Sequence, residues 1–238
     1  MKMAVTASIA ACAIGAFAHA GGGMDVRISE IRIEQPGPDL DEYVELVGAP
    51  GTDLSNLTYV VIGDLDGAFP PNQNGHIEEA VSLKGLSIPA SGRFTIAEAT
   101  ITLGTPDLVV DLNFEGNDNV THLLVANFTG ELGQDLDTDD DGTLDVVPWL
   151  TEIDRIALVL QPNPPTSTEY HYGPPMIGPD TTFVPSYVYR CTPSGDWEIG
   201  PFDPTSEGAL DTPGSANAPC MTSTCPWDIN TDGSVGFA

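Results

Sequence analysis

Short apolar runs, cut at close intervals by glycine and proline, limit what this chain can fold into. Apolar residues nowhere recur at helical spacing for more than about two turns, and glycine (25) and proline (21) take 46 of the 238 positions. Val26-Arg-Ile-Ser-Glu-Ile-Arg-Ile33 alternates apolar and polar side chains with the two-residue period of a half-buried strand, and Gln35-Pro-Gly-Pro38 ends it. Tyr43–Val47 and Leu57–Ile62 repeat the theme on either side of Gly48-Ala-Pro-Gly51, a turn composition that excludes a helix. Further strands are expected at Val109–Phe114, His122–Phe128 and Ile153–Leu160, with a return to the core at Tyr187–Arg190 and Asp196-Trp197. Asp64–Glu79, with Pro70-Pro71, reads as a surface loop, and Gln161–Pro185, with seven prolines, as an extended surface excursion. The fold class is all-β, a sandwich or barrel in which Tyr43, Phe94, Trp149 and Trp197 are core anchors.

Between two of these strands lies Asp135-Leu-Asp-Thr-Asp-Asp-Asp-Gly-Thr-Leu-Asp145, six aspartates in eleven residues with no lysine or arginine nearby. Asp137, Asp139, Asp141, Gly142 and Asp145 spell D-x-D-x-D-G-x-x-D, in which alternate carboxylates converge and the glycine permits a sharp turn around the point they share. A hard cation, Ca2+, is the expected occupant, held by Asp137, Asp139, Asp141 and Asp145 with the Thr143 carbonyl completing the turn. Counted from Asp137, position twelve is Pro148, so the bidentate carboxylate of an EF-hand is missing. The loop is more similar to a thrombospondin type 3 calcium turn.

The ends of the chain suggest export. Lys2, an apolar run to Phe17 and the small-residue site Ala18-His-Ala20 have the layout of a secretory leader over residues 1–20. That places the protein outside the cell or at its surface, and no later run is apolar enough to insert in a membrane. Of four cysteines, Cys12 falls in the leader; Cys191 with Cys220 is the favoured disulfide, Cys220 with Cys225 the alternative. Seven basic residues against 35 acidic ones give a formal net charge of −28, which repels phosphate backbones and argues against nucleic acid as a partner.

Ile28-Ser-Glu-Ile31, Asp41-Glu-Tyr-Val-Glu-Leu46 and Asp53-Leu-Ser-Asn-Leu-Thr-Tyr-Val-Val61 resemble the opening of the lamin-tail domain. Ser87–Ile96, with its Pro-x-x-Gly turn, resembles that family's middle strand, and Asp211-Thr-Pro-Gly-Ser-Ala-Asn217 its close. The resemblance implies an immunoglobulin-like β-sandwich over residues 21–219, enlarged by long loop insertions, with its termini near one another in outer positions. Asp228-Ile-Asn230-Thr-Asp232-Gly233, inside Cys225–Ala238, resembles the first half of a type I dockerin repeat. The resemblance implies a partial dockerin-like calcium loop over residues 220–238, with Asp228, Asn230 and Asp232 as ligands, expected to be disordered alone.

No nucleophile elbow, zinc-binding H-E-x-x-H or phosphate loop occurs. Together these readings lead to an exported, calcium-stabilised, non-enzymatic β-sandwich that displays loops for adhesion or assembly with a protein or surface partner. The competing reading is a secreted metal-dependent hydrolase or nuclease, or an accessory domain of one, acting through carboxylates and bound metal.

Overall fold

The computed structural model describes residues 25–64, 74–162 and 170–220. The leader, Cys225 and the dockerin-like ligands Asp228, Asn230 and Asp232 lie outside these. The described chain is all-β and forms two mixed sheets. Its strands are β1 (Arg27–Arg32), β2 (Tyr43–Val47), β3 (Leu57–Asp64), β4 (Asn74–Ser82), β5 (Arg93–Ala97), β6 (Leu108–Val109), β7 (Val120–Ala126), β8 (Thr151–Leu158), β9 (Met176–Ile177), β10 (Tyr187–Arg190) and β11 (Trp197–Ile199). The first sheet runs β11-β10-β1-β2-β5-β6 and the second β4-β3-β7-β8-β9. All neighbours are antiparallel except β5 with β6 and β8 with β9.

Between the sheets sits one continuous core, which gathers Ile28, Ile31 and Ile33 with Val44, Leu46, Tyr59, Val61, Phe94, Leu124, Ile156 and Val188. The alternation of β1 slips by one residue between Ile28 and Ile31, and a bulge between Ile28 and Glu30 absorbs the slip so that both isoleucines point inward. The turn Pro89–Gly92 closes through the Gly92 N–H to the Pro89 carbonyl at 3.0 Å, with Gly92 at φ +79°, and delivers Phe94 to the core.

Several expectations need correction. Asp64–Glu79 is not all loop: Asn74 onward pairs with β3, because Ile77 and Val81 are buried against it. Of Val109–Phe114 only the start is strand: Val109 pairs with β5 and the Val110 N–H reaches the Ala97 carbonyl at 3.0 Å, after which the chain leaves the ladder and buries Leu112 and Phe114. The proline-rich excursion is not confined to the surface either, since Tyr172 and Val184 are buried and Met176–Ile177 pairs with β8.

The largest departure concerns the polar face of β1. Ser29, Glu30 and Arg32, expected to meet water, are 3%, 0% and 0% exposed, because residues 200–218 lie across that face. β1 also lies between β10 and β2, interior to its sheet and not at an outer position, while Asn217, near the end of the described residues, reaches back to Ser29 near their start. Arg32 donates from Nε and Nη2 to the Asp211 carboxylate at 2.6 and 2.8 Å and from Nη1 to the Phe202 carbonyl at 2.9 Å. Glu30 accepts from the Thr212 N–H at 2.7 Å, and Glu45 from the Gly214 N–H at 2.6 Å. Asn217 donates to the carbonyls of Ser29 and Arg190 at 3.0 and 2.9 Å. The charged groups of that face, Glu30, Arg32 and Glu45, thus each have a partner, as burial demands.

Cys191 and Cys220 are disulfide-bonded across 29 residues and fasten this covering segment to the end of β10. Cys191 packs with Tyr43, Tyr187 and Tyr189 in a small apolar cluster beneath it. By loop-closure entropy the crosslink contributes about 3 to 4 kcal/mol. Replacing both cysteines by serine is expected to lower unfolding free energy by that amount in denaturant titrations; a double variant as stable as the parent would remove the crosslink from the account.

Candidate metal centre

The aspartate loop joins β7 to β8 and lies over the outer face of the second sheet. That face is apolar: Val60, Ile62, Leu123 and Val125 point outward into a cluster completed by Ile77, Leu136 and Tyr172. Phe128, Leu144, Val146 and Trp149 of the loop pack on the same cluster. The loop's first half extends the sheet edge, with the Leu136 N–H donating to the Gly75 carbonyl at 2.9 Å and the Ile77 N–H to the Gln134 carbonyl at 3.0 Å. Its second half folds back, and the N–H groups of Asp145 and Val146 both reach the Leu136 carbonyl, at 2.7 and 3.1 Å.

Asp137 is the pivot. It is 1% exposed, and its carboxylate accepts from the N–H groups of Asp141 and Gly142 at 3.1 and 2.9 Å and from the Tyr172 hydroxyl at 2.9 Å. Gly75, at φ +80°, lets the backbone approach: a Cβ there would lie 2.5 Å from the Asp137 Cβ. Gly142, at φ +84°, makes the turn predicted of it, and Asp140 takes the other left-handed position at φ 52°.

Three of the four predicted aspartates converge. Oxygens of Asp137, Asp139 and Asp145 lie within 4.8 Å of one another, about twice the ~2.4 Å calcium–oxygen distance, so one ion fits among them. The donors are all hard oxygens, which suits calcium over softer metals. Asp145 also accepts from the Thr138 N–H and hydroxyl at 2.9 and 2.6 Å. Asp141 stands apart: its carboxylate accepts the Thr143 N–H at 2.8 Å in a local turn. Thr143 itself is exposed on that turn. The Asp139 carboxyl is held above the usual range, first by Asp141, then by partial desolvation and by Asp145 and Asp137.

A second carboxylate group escaped sequence reading because its members are scattered. Asp64, Glu78 and Glu115 also place oxygens within 4.8 Å of one another. Glu78 lies over Gly63, and both its oxygens are buried without a hydrogen-bond partner. Burial, then Glu115, Asp64, Asp118 and Glu79, push its carboxyl up to about 9, so it is protonated at neutral pH. Only the register shift of β4 on β3, which lays its side chain over Gly63, unites it with the others, and no spacing rule could have found that. Asn119 is buried, and its carboxamide oxygen accepts from the N–H groups of Leu160 and Gln161 at 2.7 and 3.1 Å.

No protein-family model, no curated protein and no solved structure matches the chain.

The buried carboxyls have a collective consequence. Burial raises Glu30 to about 7, and burial followed by Glu98 and Asp39 raises Glu42 to about 8, alongside Glu78 at about 9. Their stabilising contributions are complete below the ordinary value of 4.5 and are lost as pH climbs through 7 to 9. His122 opposes them: burial depresses it from 6.5 to about 3, so its contribution is complete above 6.5 and fades as pH falls towards 3. Three protons outweigh one. In metal-free buffer the melting temperature is expected to peak near about pH 5 and to decline steadily towards pH 9, and Glu78→Gln should flatten the alkaline decline. A maximum at pH 8 would contradict this assignment.

Proposed function

We propose that the protein is an exported, non-enzymatic β-sandwich of the immunoglobulin-like, lamin-tail type, whose long loops are ordered by calcium and presented for adhesion or assembly. The observation that carries this reading is the dual role of the aspartate loop. Its Leu136, Leu144, Val146 and Trp149 cover the second sheet, while Asp137, Asp139 and Asp145 converge on one point. Calcium there would offset the mutual repulsion of the carboxylates and hold closed the loop that shields apolar surface. Binding to the folded state alone then stabilises the whole fold.

Support for the lamin-tail type comes from the residues that carried the resemblance. The Thr212-Pro-Gly214 close forms a turn, with the Ser215 N–H donating to the Thr212 carbonyl at 2.7 Å, and the turn presents the Gly214 N–H to Glu45 of the Glu-Tyr-Val-Glu-Leu strand. Export is supported by the Cys191–Cys220 crosslink, which suits an oxidising compartment. Hydrolysis draws less support. Glu152, the carboxylate lining the cavity beside the loop, is ion-paired to Arg155, which leaves it poorly placed to act as a general base.

Three converging aspartates without a bidentate twelfth ligand suggest an affinity of ~10⁻⁴ to 10⁻³ M, within the range of extracellular calcium modules. Each tenfold excess of calcium over its dissociation constant should then contribute roughly 1.4 kcal/mol. Thermal melts with calcium and with chelator are expected to separate for the parent and to coincide for Asp139→Ala combined with Asp145→Ala. These two side chains are exposed, so the variant should fold. No gain for the parent at several millimolar calcium, or an equal gain for the variant, would refute the site.

A further inference from the structure

We infer that the cavity beside the aspartate loop binds a neutral, hydroxyl-rich ring, that is, a sugar residue. The cavity measures about 320 Å³ and lies between the loop, β8 and the Tyr172-Gly173 segment. That is the lower end of the ~300 to 1,000 Å³ typical of small-molecule sites, room for one or two rings. Its walls are Thr143, Val147, Trp149, Glu152, Arg155 and Tyr172. Trp149 is half-buried and backed by the apolar cluster of the second sheet, so the indole is held in place before any ligand arrives.

The polar side of the cavity is fixed as firmly. Arg155 donates from Nε to Glu152 Oε1 at 2.6 Å and from Nη2 to Glu152 Oε2, and its Nη1 reaches the Tyr172 carbonyl. Gly173, at φ +90°, makes room for the guanidinium, since a Cβ there would lie 1.9 Å from Nη1. Gly142 does the same for the Tyr170 ring, which a Cβ would approach to 2.7 Å. Of the five N–H groups of Arg155 three are engaged, leaving two donors, and Glu152 keeps unused lone pairs beside them. The pair therefore offers donors and acceptors together in one plane.

Charge decides the class of ligand. An anion is repelled by a chain of formal net charge −28. A cation would settle on the unneutralised Asp139 and Asp145 at the exposed end of the loop, not on the internally neutral Glu152–Arg155 pair. A sugar ring satisfies both remaining demands. Its adjacent hydroxyls each donate and accept, which matches the guanidinium–carboxylate plane, and its C–H face packs on an indole. Thr143 and Leu144 of the wall belong to the aspartate loop, and Tyr172 donates to Asp137, so the cavity is shaped by the same loop. The inference rests on the calcium reading for the order of that wall alone.

The test is calorimetric titration of the full mature chain in calcium with cellobiose, chitobiose, lactose and mannobiose. It is repeated on Val147→Glu and Trp149→Ala, with calcium-dependent melting recorded in parallel. Val147 stands on the rim and is 54% exposed, so its replacement obstructs the cavity without touching the core. At least one disaccharide is expected to bind the parent; Trp149→Ala should weaken it by about tenfold, the effect of losing one aromatic stacking contact, and Val147→Glu by as much or more through obstruction of the cavity. Val147→Glu should keep the parent's gain in melting temperature with calcium. Failure of all four disaccharides to bind, or equal binding by Val147→Glu, overturns the inference. Calcium stabilisation without sugar binding leaves the metal reading standing and removes this one. Sugar binding lost in Val147→Glu, in a parent that calcium does not stabilise, does the reverse.

Discussion

Strands β3 and β7 carry apolar side chains on both faces, and the rest of the architecture follows from the need to cover them. Their inward residues, Tyr59, Val61 and Leu124 among them, meet the first sheet. Their outward residues, Val60, Ile62, Leu123 and Val125, would otherwise face water. With no helix among the described residues to lie across that face, a loop has to do it. Burying four such side chains contributes on the order of 1.5 kcal/mol or more apiece, enough to hold an acidic segment in place despite its self-repulsion. The aspartate loop is thus a structural cover before it is anything else. The convergence of its carboxylates follows from folding back over Leu136.

The first sheet solves the same problem with different chemistry. Its outer face is polar at Glu30, Arg32 and Glu45, and the residues 200–218 that cover it supply a matching partner for each group. The Arg32–Asp211 pair, with side chains 1% and 3% exposed, has given up its hydration and is sustained by the backbone carbonyls of Pro201 and Phe202 around it. One cover is therefore held by apolar packing and the other by buried hydrogen bonds and a crosslink. The acidic composition matters at both. Burial, reinforced by neighbouring carboxylates, leaves Glu30, Glu42 and Glu78 protonated well above their usual range, and the scarcity of lysine and arginine leaves the aspartate loop short of positive charge. A cation and an alkaline shift should accordingly act on this fold in opposite directions.

Much of the site was legible in advance because its logic is local. The spacing of Asp137, Asp139 and Asp145 around Gly142 is a property of consecutive residues, and so is the need for a left-handed turn that Gly142 meets at φ +84°. Asp141 was not separable from them by the same reasoning, because its capture by the Thr143 N–H depends on how the turn closes. The Glu78 cluster and the cavity beside Trp149 were invisible. The first joins Asp64, Glu78 and Glu115, and the second closes only where Tyr172 and Gly173 meet the 142–155 stretch, and no linear pattern records such neighbours.

By itself the sequence determined that the described chain is all-β, roughly where most strands lie, which segment is richest in converging carboxylates, and which cysteine pairing to favour. Those properties depend on alternation, on backbone restriction at glycine and proline, and on spacing along the chain. Only the tertiary structure decided that both sheets are covered on both faces, and that the polar residues of β1 are buried. It also placed β1 inside its sheet and put a cavity next to the loop. The physical reason is that burial is decided by what comes to lie on top of a residue. In this fold the covering segments are separated from the strands they cover by as much as 180 residues or so, as Thr212 is from Glu30.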